Sequence, residues 1–437
     1  MTAAKKKRIG IYLTPQVILS NPGYLEVLRD QLGLNLLVLV WNGELPPEVL
    51  AQSPYDGAPP SPERVRTLIA RHLDGQPSTA KFASAEKSVG PHVSAGGNDQ
   101  EVRAAIAVAK GVGLEIWLMG GMYTASDYDV LMYCPSKEEN NRWYEAVYTY
   151  LATSYGADGL DITHARYPMT SYPRGLFLCM CDDCARSAAA LGYDMAAMQA
   201  DIRQAWARLR ALPAGRLTAV GQHDMGLSDY LQLLGLRTGL VDWFNFRTAL
   251  LARNVQRFRK AVHGAAGEHF IFGTDTYPAS LALFVGHNLS RWSEFSDFAS
   301  PLLSHVDIFP MQTLTEAAQF VRRLCPAVSE TEALRLVYRF TGYDGLKLPD
   351  SIADFALGEP DCEFRNIPLR DFVALDMAKA RLFLPDDIPS YPIIQGGGAP
   401  WLWPREIVEA VMSAAFEHGH DGYIFQGTKS LVDFELK

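Results

Sequence analysis

"GADGLDITHARYP", residues 156–168, is the stretch on which the reading of this chain turns. It reads as a short buried strand that ends in a knot of polar groups, with Asp161, His164, Arg166 and Tyr167 following one another within seven positions. A carboxylate, an imidazole and a guanidinium at the end of a buried strand have two explanations. They form a structural salt-bridge cluster, or they line a site that holds and cleaves a polar substrate.

Working outward from this strand, short apolar runs alternate with longer helical patterns, the signature of βα units and a parallel sheet. The expected strands are 8–14, 35–41, 114–120, 158–163, 269–275, 305–311, 391–397 and 422–428. Several are apolar along their whole length, as strands covered on both faces should be. The pattern predicts an α/β fold, a single (β/α)8 TIM barrel over residues 1–437. Helices are expected over 21–33, with Asn21 as cap and Gly33 as stop, over 137–156, and over 241–264. "VDWFNF" at 241–246 resembles a strand, but helical periodicity continues through residue 262 and favours the helix. Two long segments exceed a minimal barrel: an insertion over 42–97 after strand two and another over 312–390 after strand six. Both leave from the strand ends where barrel loops build active sites, and such insertions shape a pocket or an oligomer contact. A homo-oligomer is therefore an open expectation.

Composition narrows the classes. The chain is 48% hydrophobic and 20% charged, ordinary for a globular protein. A net charge of −9 argues against nucleic acid or an anionic membrane as partner, and "KKKR" at 5–8 reads as a solvated tail. No run approaches the length of a membrane span. The apolar run that follows "KKKR" is broken by Thr14, Pro15 and Gln16, so it reads as the first strand instead of a leader, and a cytoplasmic location is expected.

Six cysteines are too few for a disulfide scaffold, yet three fall in "CMCDDC" as Cys179, Cys181 and Cys184, within a cysteine-rich loop over 164–192. Thiolates at C-x-C-x-x-C spacing can grip one tetrahedral ion, and Cys134 in the loop after the neighbouring third strand is a sensible fourth ligand. Zinc held by four cysteines would be structural. The alternative is a set of reduced, metal-free thiols. Cys325 and Cys362 read as isolated buried thiols.

The loop resembles the zinc-binding loop of the glycoside hydrolase family 42 β-galactosidases, in which a lone cysteine precedes a C-x-C-x-x-C group after the fourth barrel strand. The match falls on Cys134, Cys179, Cys181 and Cys184. More broadly, "DGLDITHARYP", "CMCDDC" and "WFNFR" resemble barrel proteins described as glycosyl-hydrolase-like, over about half the chain. The resemblance implies a TIM barrel, structural zinc and a carbohydrate substrate. The chain departs from it where chemistry is concerned: family 42 enzymes use Glu on strands four and seven, and neither "DGLDITHARYP" nor "YPIIQGGGAPW" contains one.

Glycoside cleavage calls for two carboxyl groups flanking the bond. At the expected strand ends the candidates are Asp161 on strand four and Asp275 on strand five, with Glu44, Asp127 and Asp129 further out. Asp161 and Asp275 come from adjacent strands and are the expected catalytic pair. Arg166 is expected to keep Asp161 ionised, suiting a nucleophile or base, while Asp275 among Phe272, Tyr277 and Pro278 would be raised and suit an acid. Alternatively, Asp161 and Arg166 form only a buried salt bridge. His164 is a candidate to orient a carboxylate, bind a sugar hydroxyl or act as the acid. Substrate-binding candidates at strand ends are Trp41, Tyr123, His164, Arg166, Tyr167, Tyr277, Gln395 and Trp401. The aromatic rings among them, with Trp403, suit the C–H face of a sugar. "QGGGAPW" would form a lip over the pocket. It lacks the pattern of a phosphate loop, and no nucleotide or organic cofactor is expected. His223 and His287 read as structural. The leading expectation is a glycoside hydrolase; the rivals are a lyase or isomerase using Asp161, His164 and Arg166, and an inactive carbohydrate-binding barrel.

Overall fold

The computed structural model describes residues 7–54, 98–125, 130–131, 133–169, 174–223, 225–357, 367–396 and 403–437. Most of the 42–97 segment, and with it any structure of that insertion, lies outside the described residues, as do Asp127, Asp129, Cys362 and Trp401.

Eight parallel strands form the barrel: β1 (Arg8–Leu13), β2 (Leu36–Val40), β3 (Glu115–Gly121), β4 (Gly159–Thr163), β5 (Ile271–Thr276), β6 (Ala299–Pro301), β7 (Ile393–Gln395) and β8 (Gly422–Gln426). Neighbours in sequence pair from β1 to β6 and between β7 and β8, and β8 pairs with β1. Between β6 and β7 the ring closes through two isolated bridges, Ala299 with Ser390 and Leu302 with Ile393. This is the expected (β/α)8 fold.

Period-2 alternation divides the apolar residues into two layers. Leu36, Val38, Trp117, Phe298, Ile393 and Ile424 fill the barrel interior. Leu37, Leu39, Leu118, Leu160, Ile162 and Phe425 face the surrounding helices. Asp161, between the outward Leu160 and Ile162, must therefore point inward. The barrel's lower end is plugged by Arg8, which pairs with Glu115 at 2.9 Å and donates to Tyr391 Oη at 2.6 Å. Above it Trp117 stacks on Phe298, with ring centroids 4.4 Å apart. That stack explains two glycines. A Cβ on Gly159 would lie 2.7 Å from the Trp117 ring, and one on Gly273 would lie 2.5 Å from Phe298.

The helix over Thr238–Ala266 begins before the "VDWFNF" run and buries Trp243, Phe246, Leu250, Val255 and Phe258, as the periodicity predicts. The expected helix over 137–156 is found at Glu138–Ser154. The expected start at Asn21 is corrected: the helix is Tyr24–Leu32, capped by Gly23, because Asn21 terminates a separate short helix, Pro15–Ser20. Strand six is also corrected. "HVDIFPM" is not a strand; residues Asp307–Met311 form a π-helical turn leading into the helix Gln312–Leu324. The real β6 spans three residues, too short and too polar for an apolar run to announce it. The chain also builds helices Asp182–Ala190, Met195–Arg210, Ala214–Gln222 and Leu227–Leu234 between β4 and the helix Thr238–Ala266.

Candidate active site

Asp161 and Asp275 both project into the C-terminal end of the barrel and both are sealed, at 0% and 2% exposure. Their surroundings differ. Tyr12, on β1, donates its hydroxyl to Asp161 Oδ2, while Oδ1 is buried and has no hydrogen-bond partner. Burial raises the Asp161 carboxyl to about 7, against the Tyr12 bond and with a further push from the charge of Asp275. Because Tyr12 occupies Oδ2, a proton on Asp161 sits on Oδ1, the oxygen left for a ligand.

Asp275 has more donors around it. Thr163 Oγ1 donates to its Oδ2 at 2.9 Å, and Thr274 Oγ1 lies 3.5 Å from Oδ1. Burial raises this carboxyl as well, but the Arg166 charge, the Thr163 hydroxyl, the His164 backbone amide and Thr274 all oppose the rise. Burial raises Asp275 as expected, but Arg166 acts on Asp275 and not, as expected, on Asp161. The reason lies at the end of β4, where His164 adopts φ 62° and the Arg166 amide bonds back to His164 O at 2.7 Å. This tight turn in the left-handed region carries the guanidinium away from Asp161. It ends between two rings, 5.0 Å from Tyr277 and 4.9 Å from Phe309. Since Thr163 spends its proton on Asp275, its 2.8 Å contact with His164 Nδ1 makes that nitrogen the donor.

The remaining candidates separate into two groups. Tyr277 belongs to the interior cluster and packs 5.3 Å from Phe309. Gln395 ends β7, is 5% exposed, and has no partner for Oε1. Trp41, Tyr123 and Tyr167 belong instead to the packing outside the barrel. Trp41 continues the outward phase of Leu37 and Leu39 and meets Tyr155 edge-on. Tyr123 donates to Asn141 at 2.6 Å and accepts from Asn254 at 2.9 Å, which uses its hydroxyl in the fold. Tyr167 lies under Arg247, whose guanidinium is 4.1 Å from the ring. His287 is structural as expected: Nδ1 accepts from the Tyr277 amide at 3.0 Å and Nε2 donates to Ala165 O at 3.0 Å. Burial pushes it down to about 3, so it is neutral and ties the loops after β4 and β5 together.

Sequence reasoning missed Tyr12, although "IGIYLT" places it on the inward phase with Gly10. It also missed Ser300, in register with Asp275 and fully buried, because β6 itself was misplaced.

Cys134, Cys179, Cys181 and Cys184 bring their sulfurs within 4.8 Å of one another. Cys134 lies 3.5 Å from Cys184 and 3.8 Å from Cys181, and Cys181 lies 3.6 Å from Cys184. Sulfurs about 2.3 Å from a tetrahedral zinc would be roughly 3.8 Å apart, so the donor set fits such an ion. A buried frame holds the two cysteine segments. Asn140 donates to Cys134 O at 3.0 Å, Asn254 to Pro135 O at 2.7 Å, and Trp243 and Arg247 each to Leu176 O at 2.7 Å. Cys325 is buried and free.

No family model matches the chain, and no curated protein matches it. Among solved structures, it is similar to the PgaB (BpsB) glycoside hydrolase domain from Bordetella bronchiseptica, with 12% identity, 97% of this chain and 94% of that chain covered, and a TM-score of 0.46. The catalytic domain of β-amylase from Paenibacillus polymyxa gives 11% identity, 98% and 93% coverage, and 0.40. Chitinase ChiA74 from Bacillus thuringiensis gives 12% identity, 69% and 40% coverage, and 0.27. None reaches a TM-score of 0.5, and the reading of the site rests on its own geometry.

Proposed function

We propose that the chain is a glycoside hydrolase whose working groups are Asp161 and Asp275. The observation that carries this reading is a pair of buried carboxyls from adjacent strands, both raised by burial, with a guanidinium and a threonine hydroxyl opposing the rise at Asp275. Asp161 is the acid: its Oδ1 proton passes to the glycosidic oxygen as the C–O bond breaks, and the electron pair leaves with that oxygen. Asp275, where Arg166 and Thr163 oppose the rise that burial causes, supports the anomeric carbon as nucleophile or as the base that deprotonates water. Phe309 over Arg166 keeps the site dry and moves when substrate enters. The four cysteines hold a structural zinc that braces the loops after β3 and β4 and leaves no open coordination position.

The test is hydrolysis of a panel of aryl glycosides and reducing-sugar release from polysaccharides. We expect turnover in the native protein and a loss of about 100-fold or more in Asp161→Asn and Asp275→Asn, the size of a general acid–base contribution. Turnover unchanged in either variant removes that residue from the mechanism. Conversion of a carbonyl substrate without bond hydrolysis would support the lyase or isomerase reading.

A further inference from the structure

We propose that Ser300 and Gln395 form a subsite that recognises the hydroxyl groups of an uncharged sugar ring, an inference that deepens the hydrolase reading and rests on it. Both lie on the inward phase of the barrel at its C-terminal end. Ser300 is in register with Asp275 across β5 and β6, and Gln395 is in register with Gln426 across β7 and β8. They are 0% and 5% exposed, yet Ser300 Oγ and Gln395 Oε1 have no hydrogen-bond partner. Buried polar atoms in folded proteins are nearly always satisfied, so unpartnered atoms sharing one end of the barrel with the unpartnered Asp161 Oδ1 point to a ligand that completes them. The neighbouring Gln426 is different, since its Oε1 already accepts from Ser304.

The chemistry of that ligand follows from the atoms. Gln395 Oε1 only accepts, so the ligand presents a donor to it; Ser300 Oγ both donates and accepts. Vicinal hydroxyls on one ring meet both demands. The inward residues of β6 to β8 and their flanks are Phe298, Ser300, Leu302, Tyr391, Ile393, Gln395, Ile424 and Gln426, all neutral. Arg166 is committed to the charge of Asp275 and to two aromatic rings. A ring carboxylate or phosphate would meet no cation among these inward side chains. Across the barrel, Val38 and Met119 are in register with Tyr12 and Asp161 and present an apolar wall. One polar arc and one apolar wall match a sugar's hydroxyl edge and its C–H face.

The experiment uses the full chain with glucose, galactose, mannose, xylose and N-acetylglucosamine, and with glucuronate and galacturonate. Binding is read by saturation-transfer NMR and calorimetry in the native protein, Ser300→Ala and Gln395→Leu. We expect at least one neutral sugar to bind, its uronate to bind about tenfold more weakly, and each variant to weaken the neutral sugar by about tenfold. Melting temperatures should stay level or rise, because each substitution removes a buried polar atom that has no partner in the fold. Unaltered binding in both variants, preference for the uronate, no binding of any sugar, or a melting temperature several degrees lower in both variants would each overturn the subsite. Hydrolysis is scored separately. Binding that depends on these residues without cleavage keeps the subsite and discards the hydrolase reading. Cleavage with an unchanged KM in both variants does the reverse.

Discussion

Asp161 ties its chemistry to a stability that depends on pH. Its carboxyl is neutral in the fold up to about 7, whereas in the unfolded chain it ionises near 4. A raised folded value means that its contribution is fully present below the unfolded value and is lost as pH climbs toward the folded one. Between about pH 4 and 7 the native protein should therefore lose stability relative to Asp161→Asn, by an amount on the order of 4 kcal/mol at the upper end. Tyr12→Phe removes the bond that holds the Asp161 value down, so its loss should continue to higher pH. Thermal unfolding across pH for the three proteins checks both. Parallel curves for native protein and Asp161→Asn would show that Asp161 titrates normally in the fold. Both aspartates were legible because they stand at the ends of adjacent expected strands; their surroundings were not, because Tyr12 reaches Asp161 from β1 and Thr163 reaches Asp275 from β4.

At the scale of elements, the turn Asp307–Met311 covers Arg166 and Tyr277. It is a π-helical turn with Pro310 inside it, and it sets Phe309, 4% exposed, against Arg166 and Tyr277. π-Turns of this kind concentrate at functional sites. Phe309→Ala should raise labelling of Asp275 by a water-soluble carbodiimide and an amine about tenfold, as expected when a local cover is removed. Peptide mass spectrometry reads the label, and an unchanged rate would mean that another part of the chain covers the site. The apolar run around Phe309 looked like a strand in sequence, since a short apolar segment does not by itself distinguish a buried strand from a buried turn.

Over the whole molecule, the cysteine cluster brings the excursion after β4 against the loop after β3. Arg247, fully buried, bonds Leu176 O ahead of the cysteines and Phe284 O after β5, at 2.7 and 3.0 Å. Protein prepared without chelator should contain stoichiometric zinc by elemental analysis, and Cys184→Ser should lose the metal and melt several degrees lower. Protein free of metal and unaffected by the substitution would leave the cluster as reduced thiols. The sequence by itself determined the barrel, the placement of Asp161 and Asp275 on adjacent strands, and the grouping of four cysteines. Those follow from strand period, from the alternation of strands and helices, and from the adjacency of loops on neighbouring strands. Only the tertiary structure decided that Arg166 serves Asp275, that Tyr12 holds Asp161, and that Trp41, Tyr123 and Tyr167 pack outside the barrel. Those facts depend on side chains brought together across the closed ring, which no local pattern records.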